Sequence, residues 1–154
     1  MIVEDGTGLP DADALIDVSY ADSYHSARGN AWDGTAPEKE QAIVRATDYM
    51  RTMAWVGSPL TDTQALPWPR FGYGIPDAIK RACAEYALRA RAAALEDDEA
   101  AGAAVVAETS RVGPLEKSVT YSQQLSQRSN RRSYPTADRL LTPYLVHVLD
   151  EVMV

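Results

Sequence analysis

The stretch "ALPWPRFGYGIPDAIKRACAEYAL", residues 65–88, joins a loop of aromatic and backbone-breaking residues to an alanine-rich second half. Pro76 suits the first turn of a helix because its missing N–H has no helical partner there, and Asp77 complements the positive helix start. Apolar residues then recur at helical spacing. This stripe comprises Ile79, Ala82, Cys83, Tyr86, Ala87 and Ala90. The pattern predicts a helix that begins at Pro76-Asp77 and buries the stripe.

The first half of the stretch is predicted to be extended and stiff. Pro67 and Pro69 each fix their own φ and keep the preceding residue out of the helical region. Two interpretations of Trp68, Arg70 and Phe71 remain open. They form either a core anchor that fills the space left by small alanine side chains, or a subunit contact, where Trp and Arg are frequent.

Two more helices are predicted before this stretch. Ser19 and Asp22 have the spacing of a helix cap and the third helical residue, which predicts the start of the first helix. Thr35 and Glu38 have the spacing of a capping box and predict the start of the second. Residues 1–18 contain two glycines and a proline that oppose a helix, so this segment is predicted to be an extended arm.

The C-terminal part of the chain changes its pattern. Alternating polar and apolar residues on both sides of Gly113-Pro114 predict one β-hairpin, and a polar, basic stretch without periodicity follows it. The chain is therefore predicted to be a single mainly α domain over 1–154, a small bundle of about four helices. Its parts are an extended N-terminal arm (1–18), a helical core (19–95), a β-hairpin (104–121), a mobile basic loop (122–134) and a C-terminal helical segment (135–154).

The charge is distributed unevenly along the chain. Residues 1–110 hold nine Lys/Arg against eighteen Asp/Glu, whereas residues 111–139 hold six against two. An acidic body of this kind argues against a general nucleic-acid binder, whose footprint is usually a broad basic face. The start of the chain lacks the regions of a signal peptide, and no apolar run is long enough to cross a bilayer. We therefore expect a soluble intracellular protein with no membrane contact.

Signals of catalysis are weak. "GYG" at residues 72–74 lacks the third glycine and the preceding strand of a dinucleotide fingerprint. His25 and His147 lie far apart in the sequence, and the single Cys83 falls within a predicted core stripe, so no pair has metal-ligand spacing. We expect no catalytic residue, no metal, no cofactor and no enzymatic activity.

The basic loop and the C-terminal segment supply a second set of candidate contact residues, for a partner protein or for DNA. Arginines next to a tyrosine combine phosphate binding with a stacking surface, as single-stranded DNA binding requires. The alternative is docking on an acidic surface of another protein, which the acidic body favours because it opposes the approach of DNA at low salt. The candidates are Arg128, Arg131, Arg132, Tyr134, Leu145 and Leu149.

Six motifs in order along the chain carry a family resemblance. They are "VEDGTGLPDAD" (3–13), "ATDYMR" (46–51), "ALPWPR" (65–70), "IPDAIKRACAEYALRA" (75–90), "VGPLEKSVTYS" (112–122) and "YPTADRLLTPYL" (134–145). Together they resemble a group of small tailed-bacteriophage proteins often labelled "DnaT-like ssDNA-binding protein". That group is similar to the head–tail connector (neck adaptor) proteins of long-tailed phages.

The resemblance implies a structural protein that forms a homo-oligomeric ring, usually a dodecamer, beneath the portal. Such a ring extends the DNA channel and is the platform for the tail or the next neck protein. The implied partners are the phage portal protein, a tail-side neck or tail-terminator protein, and genomic DNA that passes without sequence-specific contact. The implied location is the neck of the virion, after assembly in the host cytoplasm. The alternative hypothesis is a single-stranded DNA-binding accessory protein of phage replication.

Overall fold

The computed structural model describes residues 1–96, 109–112, 115–118 and 132–146. The chain divides into two compact units, one formed by Met1–Leu95 with Tyr134–Val154 and the other by Glu96–Ser133. The first unit contains the helices α1 (Val18–Ser26), α2 (Ala36–Arg51), α3 (Asp77–Ala92) and α4 (Pro135–Leu141), followed by a short 3-10 helix (Thr142–Tyr144). The predicted mainly helical class is confirmed. No helix in the described ranges is both long and apolar enough to span a bilayer.

The second unit contains two described strands. Strand β1 (Thr109–Val112) pairs antiparallel with β2 (Leu115–Ser118), so that Val112 lies opposite Leu115. The remainder of the predicted hairpin (104–121) and nearly all of the predicted basic loop (122–134) lie outside the described residues. The hairpin over its full span and the mobile loop therefore stay predictions.

Helix α3 lies at the centre of the first unit and contacts both α2 and α4. Every residue of the stripe predicted for α3 is buried, as the spacing requires. Three tyrosine rings join the three helices: Tyr86 of α3 lies edge-on to Tyr49 of α2 and to Tyr134, which directly precedes α4, at centroid distances of 5.0 and 5.8 Å. These aromatic contacts supply area that the alanine side chains of α3 cannot.

The helix starts test the predicted caps. Helix α1 begins at Val18, and its cap is Asp17, whose side chain accepts a hydrogen bond of 2.6 Å from the Tyr20 N–H. The prediction of Ser19 was wrong by two residues because Asp and Ser are equally good caps and both occur here. The pairing of Thr35 with Glu38 is confirmed, since the Glu38 carboxylate accepts the Thr35 N–H at 2.7 Å.

The predicted extended arm is not confirmed. The carboxylate of Glu4 is buried and accepts backbone N–H groups from Gly6, Gly8 and Leu9 at 3.0, 2.9 and 2.9 Å. A buried carboxylate that accepts several N–H groups replaces the hydrogen bonds that a helix or strand would provide. The segment thus closes into a loop, and it places Ala12, Ala14, Leu15 and Ile16 in the core.

Candidate nucleic-acid interface

Trp68, the first of the predicted anchor residues, is fully buried. Its ring lies edge-on to the rings of Trp55 and Tyr144, at centroid distances of 5.5 and 5.7 Å. The Trp68 side chain therefore joins the loop after α2 to the segment after α4. Its Nε1–H has no hydrogen-bond partner among the described residues, so the contribution of this residue lies in ring packing.

Arg70 holds the same loop through its guanidinium group, which is almost completely buried. Its Nε donates to the Val56 carbonyl at 2.6 Å and its Nη1 to the Pro67 carbonyl at 3.0 Å. Its Nη2 donates to the carbonyls of Trp55 and Gly57 at 3.2 and 2.6 Å. Burial lowers the pKa of Arg70, but arginine is still charged at neutral pH. The guanidinium is thus fixed on four carbonyls and is not available to a ligand.

The residues that follow form a tight turn, residues 70–74, which we call the aromatic turn. Arg70 and Gly74 exchange two backbone hydrogen bonds of 3.1 Å, and Gly74 has a φ of +60°, which favours glycine. Phe71 is 73% exposed and Tyr73 is 53% exposed. The sequence placed Trp68, Arg70 and Phe71 in one group, whereas the structure buries the first two and exposes the third.

The other predicted contact residues are scattered. Arg132 is exposed and belongs to the second unit. In the first unit, Tyr134 is half-buried and donates its hydroxyl to the Leu95 carbonyl at 3.1 Å, and Leu145 pairs with Trp55 in an isolated antiparallel bridge. Arg128, Arg131 and Leu149 lie outside the described residues. The role of all six predicted contact residues as a docking or DNA-contact surface stays a prediction.

A different group of arginines lines two open depressions on the first unit, and Arg91 borders both of them. The smaller depression, of about 260 Å³, is lined by Glu38, Gln41, Arg45 and Arg91. The larger, of about 530 Å³, is lined by Ala31, Leu88, Arg89, Arg91 and Ala92. We call these residues together the arginine groove.

The three groove arginines differ in how far the protein occupies their donors. Arg45 is exposed, and its Nε–H makes one long hydrogen bond of 3.3 Å to a backbone carbonyl of α2. Arg89 pairs with the buried Glu85 at 2.7 Å. The Arg91 side chain makes no hydrogen bond or ion pair with the described residues, and its guanidinium carbon lies 5.4 Å from the Trp32 ring centroid. Arg45 and Arg91 therefore present cationic donors to solvent.

The carboxylate of the groove does not cancel this charge. Hydrogen bonds from the backbone N–H and the hydroxyl of Thr35 lower the pKa of Glu38, so it is ionised at neutral pH. Glu38 and Glu85, the partner of Arg89, together offset two of the three guanidinium charges, which leaves one net positive charge at the groove of an acidic protein. Guanidinium forks of this kind match the geometry of phosphate oxygens.

A buried histidine, His25, contacts the aromatic ring that lies next to Arg91. Nε2 of His25 lies 3.1 Å from the Ala84 carbonyl, which can only accept, so Nε2 carries the proton. Nδ1 then accepts from the Asn30 side-chain amide at 3.0 Å. Burial lowers the pKa of His25, which keeps the ring neutral. The His25 ring packs against the Trp32 ring at a centroid distance of 4.8 Å, and Arg91 contacts the same Trp32 ring.

Metal binding and thiol chemistry were the other two possibilities among the described residues. No group of three or more His, Cys, Asp or Glu among them could hold a metal ion. Burial raises the pKa of Cys83 to about 12, so its thiol is not a nucleophile at neutral pH.

The fold and the groove together define a small, mainly helical protein with a cationic surface groove. The chain belongs to the family described as "Putative DnaT-like ssDNA binding protein", whose sequence model matches residues 1–153. No curated protein and no solved structure matches the chain. The family resemblance of the motifs is thus confirmed, and the family description names DNA binding but not a head–tail connector.

Proposed function

We propose that the protein binds single-stranded DNA and that the arginine groove contacts the phosphates. The observation that carries the proposal is the state of Arg45 and Arg91, whose guanidinium donors face solvent at one site. The family description is the second support, since it names the same ligand.

The chemistry of the groove favours backbone contact over base recognition. The arginines can each bind a phosphate oxygen pair, and Leu88 with Ala31 and Ala92 offers an apolar surface to sugars. The Trp32 ring is buried beneath Arg91, so it is not a platform for an unstacked base. Binding led by phosphates is independent of sequence and weakens steeply with salt.

Binding of a labelled oligothymidine, followed by fluorescence anisotropy over a range of salt concentrations, tests this proposal. If each of the three groove arginines contacts one phosphate, the slope of log K against log salt is about −2, since each single-strand contact contributes about 0.7. Sequence-independent binding with this slope supports phosphate contact by the groove arginines. No binding at low salt, or a slope near zero, contradicts the proposal.

The second candidate function is the structural head–tail connector, a ring that joins portal and tail. It is supported by the aromatic turn, because Phe71 and Tyr73 are large exposed apolar residues on a segment fixed by Arg70. Leu60 and Val146 are also exposed. The Leu60 N–H donates to the Pro69 carbonyl, and the Val146 N–H donates to the Ala54 carbonyl. Aromatic side chains presented in this way are typical of subunit contacts.

Mass photometry of the protein alone and with a portal protein, followed by electron microscopy, tests the connector. The connector requires a closed ring, and Phe71→Ser should abolish ring formation without lowering the free energy of unfolding, because Phe71 is 73% exposed. A chain that remains monomeric at every concentration and does not bind the portal contradicts this candidate.

A further inference from the structure

The guanidinium of Arg91 rests on a fixed support. The Trp32 ring beneath it is buried, and its Nε1–H donates to Asp22 Oδ1 at 2.9 Å. The same oxygen accepts Lys39 Nζ at 2.8 Å, and Lys39 lies 5.8 Å from the centroid of the Trp32 ring. Asp22 therefore holds the edge of the ring, and the ring cannot turn away from Arg91 without loss of a charged hydrogen bond.

A glycine leaves the space that this arrangement needs. Gly34 has a φ of +120°, and a Cβ at this position would lie 2.8 Å from Arg91 Nη2 and 2.9 Å from Glu38 Oε2. Both contacts are closer than real Cβ atoms tolerate, so any larger residue would displace the guanidinium or the carboxylate. Gly29, in the same connection between α1 and α2, has a φ of +63° but open space around its Cβ direction.

We propose that Trp32 and Gly34 are positioning residues that hold Arg91 ready for a phosphate. The aromatic face holds the guanidinium by cation–π contact and uses none of its N–H groups, and the missing side chain at position 34 leaves free the space next to Nη2. An arginine that is ordered before binding loses less side-chain entropy when a phosphate arrives. The proposal rests on the proposed binding of DNA by the groove.

Side-chain NMR of Arg91 tests the positioning without any ligand. In the unaltered protein, the Arg91 side-chain protons should show the upfield shift of groups that lie over an aromatic ring. Gly34→Ala should remove that shift, whereas Gly29→Ala, which adds backbone strain without a clash, should keep it. A shift that survives in Gly34→Ala, or that is absent from the unaltered protein, overturns the positioning role.

Oligothymidine binding by the same variants tests the consequence. Gly34→Ala displaces the Arg91 guanidinium but keeps its charge, so it should weaken binding by less than Arg91→Ala, which removes one charge-assisted contact and should cost roughly tenfold. In the Arg91→Ala background it should have no further effect. Equal losses in both backgrounds would mean a structural defect and would contradict the proposal. If the unaltered protein binds no oligonucleotide, the proposed function fails, while the NMR result still decides the positioning.

Discussion

Arg70 and Arg91 are the same residue type in opposite situations. Arg70 is 8% exposed and donates to four backbone carbonyls, so the protein itself occupies its hydrogen-bonding capacity. Arg91 is half-buried, and its guanidinium lies over the Trp32 ring and donates to no described residue. The difference separates a cation that stabilises the fold from a cation that is available to a ligand.

The surroundings of Arg70 and Arg91 differ in the same way. The loop that Arg70 holds presents apolar side chains to solvent, with Phe71 and Tyr73 as its most exposed residues. The surroundings of Arg91 present charge, through Arg45 and Arg89. A protein partner suits the first surface and a polyanion suits the second.

Among substitutions near the aromatic turn, Trp68→Ala should have the largest effect on the free energy of unfolding. The ring is fully buried against Trp55 and Tyr144, and its removal leaves a cavity, which should lower the free energy of unfolding by about 4 kcal/mol. Urea denaturation measures the change. Trp68→Phe is the control, since it retains a ring and removes an N–H that has no described partner. A loss below about 1 kcal/mol for the alanine variant would mean that Trp68 is no core anchor.

Arg70→Met should have the next largest effect and should lower the free energy of unfolding by about 3 kcal/mol. The variant keeps the length of the side chain but leaves the carbonyls of Val56, Pro67, Trp55 and Gly57 without their shared donor. Urea denaturation measures the loss of unfolding free energy. Oligonucleotide binding, measured without denaturant on the folded variant, should be unchanged. Reduced binding by fully folded Arg70→Met would contradict the conclusion that Arg70 stabilises the fold whereas Arg91 is available to a ligand.

Protonation of His25, whose ring packs against Trp32 near the arginine groove, should have the smallest effect on the free energy of unfolding. Its pKa in the folded protein is lowered below 6.5 by burial, so the unfolded chain binds more protons below that pH. Its contribution to stability is complete above about pH 6.5 and is lost as the pH falls toward the lowered value. The charged or titratable groups that face it are Glu85 and Arg89 of α3 with Tyr24 and Arg28 next to it in the chain.

Denaturation at pH 7.5 and 5.5 checks this prediction. The unaltered protein should lose more stability between the two pH values than His25→Gln, in which the side chain cannot titrate. Equal losses would show that His25 does not carry the effect. Because the His25 ring packs against Trp32, the proposed binding of oligothymidine by the arginine groove should weaken over the same pH range in the unaltered protein only.

Local patterns predicted the helices well and the assembled site poorly. The apolar spacing of α3 and the pairing of Thr35 with Glu38 involve residues one or two turns apart, so the sequence contains the whole interaction. The closed N-terminal loop depends on one buried carboxylate, Glu4, and "EDGTG" alone does not indicate that the glutamate turns inward. Burial of this kind is a tertiary property.

The groove was missed for the same reason. Arg45 lies on α2, and Arg89 and Arg91 lie on α3, so only the packing of the two helices brings these side chains together. The available signal was the position of these arginines beside the apolar stripes of both helices, which predicts that they flank the helix contact. The basic loop instead holds Arg128, Arg131 and Arg132 within five consecutive positions, so the sequence alone shows that cluster.

The most direct test of the central claim measures binding and stability on the same samples of Arg45→Gln/Arg91→Gln. Arg51→Gln is the matched control, since Arg51 is an exposed arginine of α2 that pairs with Asp48 and does not line the groove. The double variant should lose oligothymidine binding at least tenfold, and its salt slope should fall by about 1.4, with the free energy of unfolding within about 0.5 kcal/mol of the unaltered protein. Arg51→Gln should change neither quantity. Unchanged binding by the double variant, or an equal loss in Arg51→Gln, would contradict the assignment of the groove to DNA.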